Sequence, residues 1–244
     1  METIQRRLLR LHVEAVWGVQ LPSLVEDTHE FELMPVSVQP SWKLFVADVS
    51  DSAGNIQISG DRVNIWRADV GKSEREALLA QANEALTLPP TTATAPGISR
   101  EVALHQTALP TMDVATARKI ARPMLTALDL PLLEAFYPDA ASYFSQTSGQ
   151  IAQSPLIGVI VDGRLLSLAH SSRRTHEACE LGVDTLPEAR RKGYALAATI
   201  LWAKMVAQEG LVPLYSTHAE NTASLRLAAA AGYRVFARAV TIEG

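Results

Sequence analysis

A short basic segment carries the residues whose types and spacing are best suited to chemistry. The segment EARRKGYALAATI, residues 188–200, places Arg190, Arg191 and Lys192 directly before Gly193 and a helix-forming run. The first turn of a helix offers unpaired backbone N–H groups and a positive dipole end, and both favour an anion. Gly193 has no Cβ, so a phosphate can approach the backbone closely. The segment therefore predicts a local site for a polyanion such as a diphosphate.

The same segment must be compared with a nucleotide-hydrolysing loop and with a plain solvated turn. The phosphate-binding loop of nucleotide hydrolases ends in Gly-Lys-Ser/Thr, whose hydroxyl binds magnesium. Tyr194 follows Gly193 here, which excludes that loop. The alternative in which the three cations form a solvated turn stays open as long as the segment is considered alone.

A second segment, ENTASLRLAAAAGYRVF at residues 220–236, bears on the choice between an anion site and a solvated turn. Together the two segments resemble the GNAT superfamily of N-acetyltransferases, whose phosphate-binding signature is Arg/Gln-x-x-Gly-x-Gly/Ala. The residues that match the signature are Arg190, Gly193 and Ala195, with Pro187 upstream where the family's strand runs into the loop. The residues that match the family's later segment are Asn221, Ser224, Leu227, Gly232 and Tyr233. The run ELGVDTLPEARRKGYA is similar to the subgroup related to a zwittermicin-resistance acetyltransferase.

The resemblance implies a fold and a cosubstrate. In this family the signature strand and its parallel neighbour splay apart, and the pantetheine arm of acetyl-CoA lies between them. Carried onto this chain, the end of the signature strand meets the pantetheine, the amides from Arg191 to Ala195 hold the pyrophosphate, and Asn221 contacts the cofactor or caps a helix. The cofactor-binding residues implied are Val183, Asp184, Thr185, Arg190, Arg191, Lys192, Gly193, Tyr194, Ala195, Asn221 and Ser224.

The resemblance also directs attention to acid and base residues. An amine must lose a proton and attack the thioester carbonyl, and backbone N–H groups can stabilise the resulting oxyanion. Glu180 is our first candidate for the base and Glu177 the second; three positions apart, they face opposite sides of a regular strand. Many family members carry a tyrosine that protonates the leaving thiolate where this chain has Ala228. Tyr215 or Ser216 can replace it, or the thiolate can leave unaided.

The function that follows is acetyl-CoA-dependent transfer of an acetyl group to the primary amine of a small molecule, by direct attack in a ternary complex. A protein or peptide N-acetyltransferase is the alternative enzyme. A non-catalytic module that senses CoA is the alternative of a different class, and the departure at Ala228 favours it.

The overall composition of the chain limits the classes of protein to which it can belong. The chain has 244 residues, of which 48% are hydrophobic, and a formal net charge of −4. We therefore expect neither nucleic acid nor a membrane as a partner, while a homodimer stays open. The single cysteine, Cys179, excludes an intramolecular disulfide and a multi-Cys metal site, and we expect it to be a small buried hydrophobe and no metal to be used. The start METIQRRLLRLHVEAV lacks a signal-peptide core, which predicts a soluble cytoplasmic protein.

Turn-forming residues divide the chain into domains. The segment LTLPPTTATAPG, residues 86–97, is rich in Pro and Thr and predicts an exposed linker. We accordingly predict a small N-terminal α+β domain at residues 1–90, a linker at 91–98 and a GNAT domain at 99–244. The N-terminal domain should contain an antiparallel meander, with turns at residues 52–55 and 60–61, and a helix opened by a capping box at Ser73.

The C-terminal domain should be a mixed α/β sheet. Asp162-Gly163 between two apolar runs predicts a hairpin, after a helical region at residues 114–144 that is broken by prolines. The strand ACELGVDT, the signature helix, a strand LVPLYSTHA, a second helix and a last strand YRVFARAVTI then alternate. This order predicts the α/β fold class.

Overall fold

The computed structural model describes residues 1–34, 39–51, 61–124, 127–137, 146–147, 150–151 and 154–244. These residues form a mixed α/β fold, as predicted. The helices are α1 (Ile4–Trp17), α2 (Lys72–Thr87), α3 (Val114–Ile120), α4 (Leu130–Phe136), α5 (Tyr194–Gln208) and α6 (Thr222–Ala230). The strands are β1 (Glu30–Glu32), β2 (Trp42–Val49), β3 (Asp61–Trp66), β4 (Ile98–Gln106), β5 (Arg122–Pro123), β6 (Gln146–Thr147), β7 (Gln150–Ile151), β8 (Ile157–Val161), β9 (Arg164–Arg174), β10 (Ala178–Thr185), β11 (Val212–His218) and β12 (Tyr233–Glu243).

The contacts between residues divide the chain into two compact units. Unit 1 comprises residues 1–105, 214–225 and 234–244, and unit 2 comprises residues 106–213 and 226–233. The predicted division at residues 91–98 stays a prediction. No helix in the described part of the chain is both long enough and apolar enough to cross a bilayer.

Unit 1 contains a mixed sheet in the order β1-β3-β2-β12-β4-β11. β1 pairs with β3 in parallel, whereas β2 pairs antiparallel with both β3 and β12. The predicted antiparallel pairing of β2 with β3 is confirmed. The two turns predicted between these strands fall mostly on residues 52–60, which lie outside the described residues. Since β12 completes this sheet, the N-terminal segment shares its core with the last strand.

Helix α2 covers one face of the unit 1 sheet. Its Leu78, Ala82 and Ala85 pack in a buried cluster that includes Val240 and Ile242 of β12. The helix begins at Lys72 after an extended Gly71 and has no side-chain cap. The predicted capping box was wrong, because the chain turns into the helix before it reaches Ser73, which leaves that hydroxyl inside the first turn.

Unit 2 contains the strand order β10-β9-β8-β5, with antiparallel pairing throughout. The predicted hairpin joins β8 to β9, and its turn residues Asp162 and Gly163 both have positive φ, at 49° and 73°. This is the backbone that a type I′ turn requires. Helix α5 packs on this sheet, where the indole N–H of Trp202 donates to the hydroxyl of Ser171 at 3.2 Å.

The predicted helical region at residues 114–144 is divided into short elements. Helices α3 and α4 are separated by β5 and a 3-10 turn at Ala127–Asp129. Pro131 occupies the first turn of α4 rather than breaking a helix, because a proline there has no N–H bond to lose. The predicted break at Pro138 lies outside the described residues.

Candidate functional site

The loop between β10 and α5 has a backbone suited to holding an anion. After β10, Pro187–Ala189 form a 3-10 turn and Arg190 is extended. Arg191 and Gly193 then both have positive φ, at 63° and 78°. Successive turns of this kind direct backbone N–H groups into a common concavity, which binds anions.

The N–H groups of this loop are available. Within the described chain, those of residues 191–196 donate to no protein acceptor, and the first helical bond of α5 runs from the N–H of Ala197 to the carbonyl of Gly193 at 3.0 Å. A Cβ built on Gly193 would meet only Cε of Met112, at 3.7 Å. The space in front of the glycine is therefore open.

The three cations of the loop are also available. Arg190, Arg191 and Lys192 are exposed, and none of them forms an ion pair with the described residues. Tyr194 and Ala195, the first residues of α5, are half-buried. N–H groups, open space and positive charge thus coincide, and a diphosphate fits this set of donors.

The end of strand β10 is tied to strand β9. The Ser167 hydroxyl donates to the carbonyl of Asp184 at 2.9 Å and lies 2.8 Å from Oγ1 of Thr185. The carboxylate of Asp184 accepts a hydrogen bond from the hydroxyl of Tyr137. Val183 is half-buried. These contacts fix the strand that leads into the basic loop.

The two candidate bases differ in their surroundings. Glu177 precedes β10 and is half-buried, and its carbonyl accepts from the N–H of Val212 at 2.9 Å. Glu180 lies inside β10 and is only 3% exposed. Alternation along β10 places Glu180, Gly182 and Asp184 on one face. Glu177 lies outside β10, so the predicted opposite orientation of the two carboxylates on one strand stays a prediction.

Sequence reasoning missed His170, which faces this same side of the sheet. His170 of β9 pairs with Gly182, and a Cβ on that glycine would lie 2.5 Å from the imidazole ring. Burial lowers the pKa of His170, and the nearby carboxylate of Asp184 opposes that shift. The glycine inside a predicted strand was the available signal, since such a glycine indicates a close approach. No pattern in the sequence indicated Tyr137.

Unit 1 brings together three of the predicted residues. The hydroxyl of Tyr215 on β11 lies 2.7 Å from Oγ of Ser224, and Tyr215 is 3% exposed. Oδ1 of Asn221 accepts from the N–H of Ser224 at 3.1 Å, which is the contact of a helix cap. The capping role considered for Asn221 is therefore confirmed, and its contact with a ligand stays a prediction.

Three further residues singled out in the sequence are buried. Ala228 and Tyr233 are both buried. Ala228, at the position where the resemblance implies a tyrosine, offers no hydroxyl. Cys179 is also buried, as expected, and burial raises the pKa of its thiol. A raised pKa disfavours the thiolate that a covalent acetyl-cysteine would require.

The chain is similar to proteins of one family. The family model described as GNAT acetyltransferase matches residues 109–238. A GNAT-family protein of known structure from Novosphingobium aromaticivorans is 25% identical, with 63% of this chain and 70% of that chain covered and a TM-score of 0.46. A GNAT-family acetyltransferase from Colwellia psychrerythraea is 18% identical, with 80% and 79% covered and a TM-score of 0.47. No curated protein matches the chain. Since the family model spans more than half of the sequence, the chain belongs to the GNAT acetyltransferase family.

Proposed function

We propose that the protein is an N-acetyltransferase that moves the acetyl group of acetyl-CoA to the primary amine of a small molecule. One observation carries the proposal: the free N–H groups of residues 191–196 surround an open Gly193 beside three cations that form no ion pair in the described chain. A diphosphate uses all of these features at once, whereas a solvated turn needs none of the N–H groups.

Different groups of the basic loop have different roles in this proposal. The amides of Arg191 to Ala195 hold the pyrophosphate of acetyl-CoA, and Arg190, Arg191 and Lys192 balance its charge. The thioester supplies an activated acetyl group. Holding both reactants in place supplies much of the rate, so the binding residues matter more than any single acid or base.

Proton transfer is assigned to the predicted residues. Glu180 remains the first candidate for the base and Glu177 the second, and Tyr215 remains the candidate acid. Direct attack by the amine is favoured over a covalent intermediate, because Cys179, the chain's one cysteine, is buried with a raised pKa. The similarity to the zwittermicin-resistance subgroup supports a small-molecule acceptor over a protein.

Calorimetric titration of acetyl-CoA into two glycine variants tests the proposal. Gly193→Asp places a side chain and a negative charge in the loop, and we expect binding to weaken by about 100-fold or more, a loss of roughly 2.7 kcal/mol. Gly163→Asp is the matched control, since Gly163 has a similar φ of 73° and nothing within 4 Å of a built Cβ. We expect it to bind like the wild type. Absence of saturable binding by the wild type would contradict the proposed cosubstrate.

A screen for release of the CoA thiol then identifies the acceptor. Turnover with a small amine supports the proposal, whereas turnover only with peptides supports the alternative enzyme. One observation favours a non-catalytic module: the buried Ala228 stands where many family members carry a tyrosine. Tight binding without turnover on either panel would favour that module.

A further inference from the structure

Unit 1 contains a cavity of about 160 Å³ that is separate from the residues assigned to acetyl-CoA. Its walls are mainly apolar and include Leu86, Leu88, Val102, Leu225 and Val235. A cavity of ~150 Å³ with apolar walls is large enough to hold a benzene ring. The cavity therefore has room for one small apolar group.

A buried arginine holds one wall of this cavity in place. Arg100 is 8% exposed and donates to the carbonyls of Leu88, Pro89 and Pro90 at 3.1, 2.8 and 2.9 Å, and also to that of Thr92. The segment at residues 88–92 has no helix or strand of its own. Because the guanidinium fixes its backbone, the wall formed by Leu88 and Pro90 is an organised surface.

A second arginine lies at the cavity without a partner. Arg238 of β12 is exposed, lines the cavity, and makes neither a hydrogen bond nor an ion pair with any described residue. It lies two residues before Val240 on the same strand, and therefore on the face that α2 covers.

Two acidic residues near Arg238, one on the adjacent strand and one at the cavity wall, already have partners. Asp48, its cross-strand neighbour on β2, accepts from Nε and Nη2 of Arg62 at 2.7 and 2.9 Å. Glu101 also lines the cavity, but its carboxylate lies 2.9 Å from Nε2 of His12 on α1. Its side chain alternates with those of Arg100 and Val102 and so extends to the other face of the sheet. The carboxylates of Asp48 and Glu101 thus have other partners, and Arg238 is left as the cavity's unpaired charge among the described residues.

We propose that this cavity binds a small monocarboxylate with an apolar body about the size of a phenyl ring. The carboxylate pairs with Arg238, whose planar guanidinium can donate two parallel hydrogen bonds to it. The ring occupies the space between Leu86, Val102 and Leu225. The positive charge of Arg238 selects a carboxylate head group, and the volume of the cavity limits the size of the apolar body. The binding is independent of acetyl transfer.

Calorimetry with the full chain and three probes of one shape tests the charge requirement. Benzoate should bind saturably, whereas neutral benzamide and cationic benzylamine should bind at least tenfold more weakly. Arg238→Ala should weaken benzoate binding by about tenfold or more, which corresponds to a loss of ~1.4 kcal/mol. The matched control is Arg118→Ala, which removes an exposed arginine from α3 in unit 2 and should change nothing.

A second variant tests the volume requirement. Ala219→Leu adds bulk at a half-buried position on the cavity wall and retains the backbone bond from its N–H to the carbonyl of Arg100 at 3.0 Å. We expect weaker benzoate binding and an unchanged urea midpoint. Gly193→Asp should bind benzoate like the wild type, which separates this site from the acetyl-CoA loop. The proposal is overturned if the wild type does not bind benzoate, or if Arg238→Ala and Ala219→Leu both bind it with wild-type affinity.

Discussion

Three arginines of unit 1, Arg6, Arg62 and Arg100, have surroundings opposite to those of the cations of the basic loop in unit 2. Arg6 and Arg62 bond carboxylates, and Arg100 bonds four carbonyls. The cations at residues 190–192 are exposed and form no ion pair with the described residues. A buried charge without partners is costly, so the first group must be paired for the chain to fold. The cations at residues 190–192 do not contribute to stability in that way, and the proposed pyrophosphate of acetyl-CoA would account for their position beside the N–H groups of residues 191–196.

Removal of a paired arginine should have the largest effect. The side chain of Arg6 is 1% exposed, and it bonds Asp61 and the carbonyls of Val25 and Thr28. Arg6→Ala removes the buried guanidinium from these acceptors, of which, among the described residues, only the carbonyl of Val25 keeps another donor, the N–H of Thr28 at 3.2 Å. We expect the free energy of unfolding to fall by about 3 kcal/mol. Urea denaturation followed by circular dichroism measures this loss. The exposed Arg118 of α3 supplies the control, and an equal loss in Arg118→Ala would show that burial of the arginine does not determine the effect.

Removal of the unpaired cations should affect binding and leave stability intact. We expect replacement of Arg190, Arg191 and Lys192 by alanine to weaken acetyl-CoA binding by about 10- to 100-fold, or roughly 1.4–2.7 kcal/mol. Because the interaction is exposed, wild-type affinity should also fall with added salt, and the triple variant should be less sensitive to salt. Unchanged affinity in the triple variant would identify the segment as a solvated turn.

His170 extends the comparison to a buried basic group that lacks an ion pair. Its pKa is lowered by burial, so the unfolded chain binds a proton more readily. Stability from this group is complete above the unfolded pKa of ~6.5 and is lost as pH falls below that value, with a slope of at most about 1.4 kcal/mol per pH unit. Urea midpoints at pH 7.5 and 5.5 should differ less in His170→Gln than in the wild type. The pKa of His105 shifts in the same direction, so the difference between variants is the informative quantity.

An exposed pair should have the smallest effect. Arg174 lies 2.6 Å from Glu209, and the two side chains are 39% and 38% exposed. Arg174→Ala should lower the free energy of unfolding by about 0.5 kcal/mol or less, because water and salt already screen the pair. A loss as large as that of Arg6→Ala in the same urea assay would show that exposure does not separate the two classes of arginine.

Local patterns predicted the second half of the chain well. The predicted strand ACELGVDT coincides with β10, and α5 begins directly after Gly193. Gly210 and Gly232, which follow α5 and α6, both have positive φ. These elements were predictable because turn-forming residues mark their ends. The basic loop was predictable because its three cations and its glycine are consecutive in the sequence.

Contacts between distant segments were not predictable from one sequence. The residue pattern of β12 predicts a strand, but it does not predict that this strand pairs with β2. The close approach of His170 to Gly182 likewise depends on the register between β9 and β10. The capping box at Ser73 failed because a backbone that already turns at Gly71 overrides a local side-chain preference.

The position of β12 between β2 and β4 has a consequence for how the chain reaches its native state. Leu44 and Val46 share their core with Val240 and Ile242, which are synthesised much later. Until β12 has been made, the edge of β2 and this apolar surface lack their partners. Contacts of such long sequence separation slow folding and leave strand edges open to aggregation. The nascent N-terminal segment therefore exposes an unpaired strand edge and an apolar surface until β12 has been synthesised.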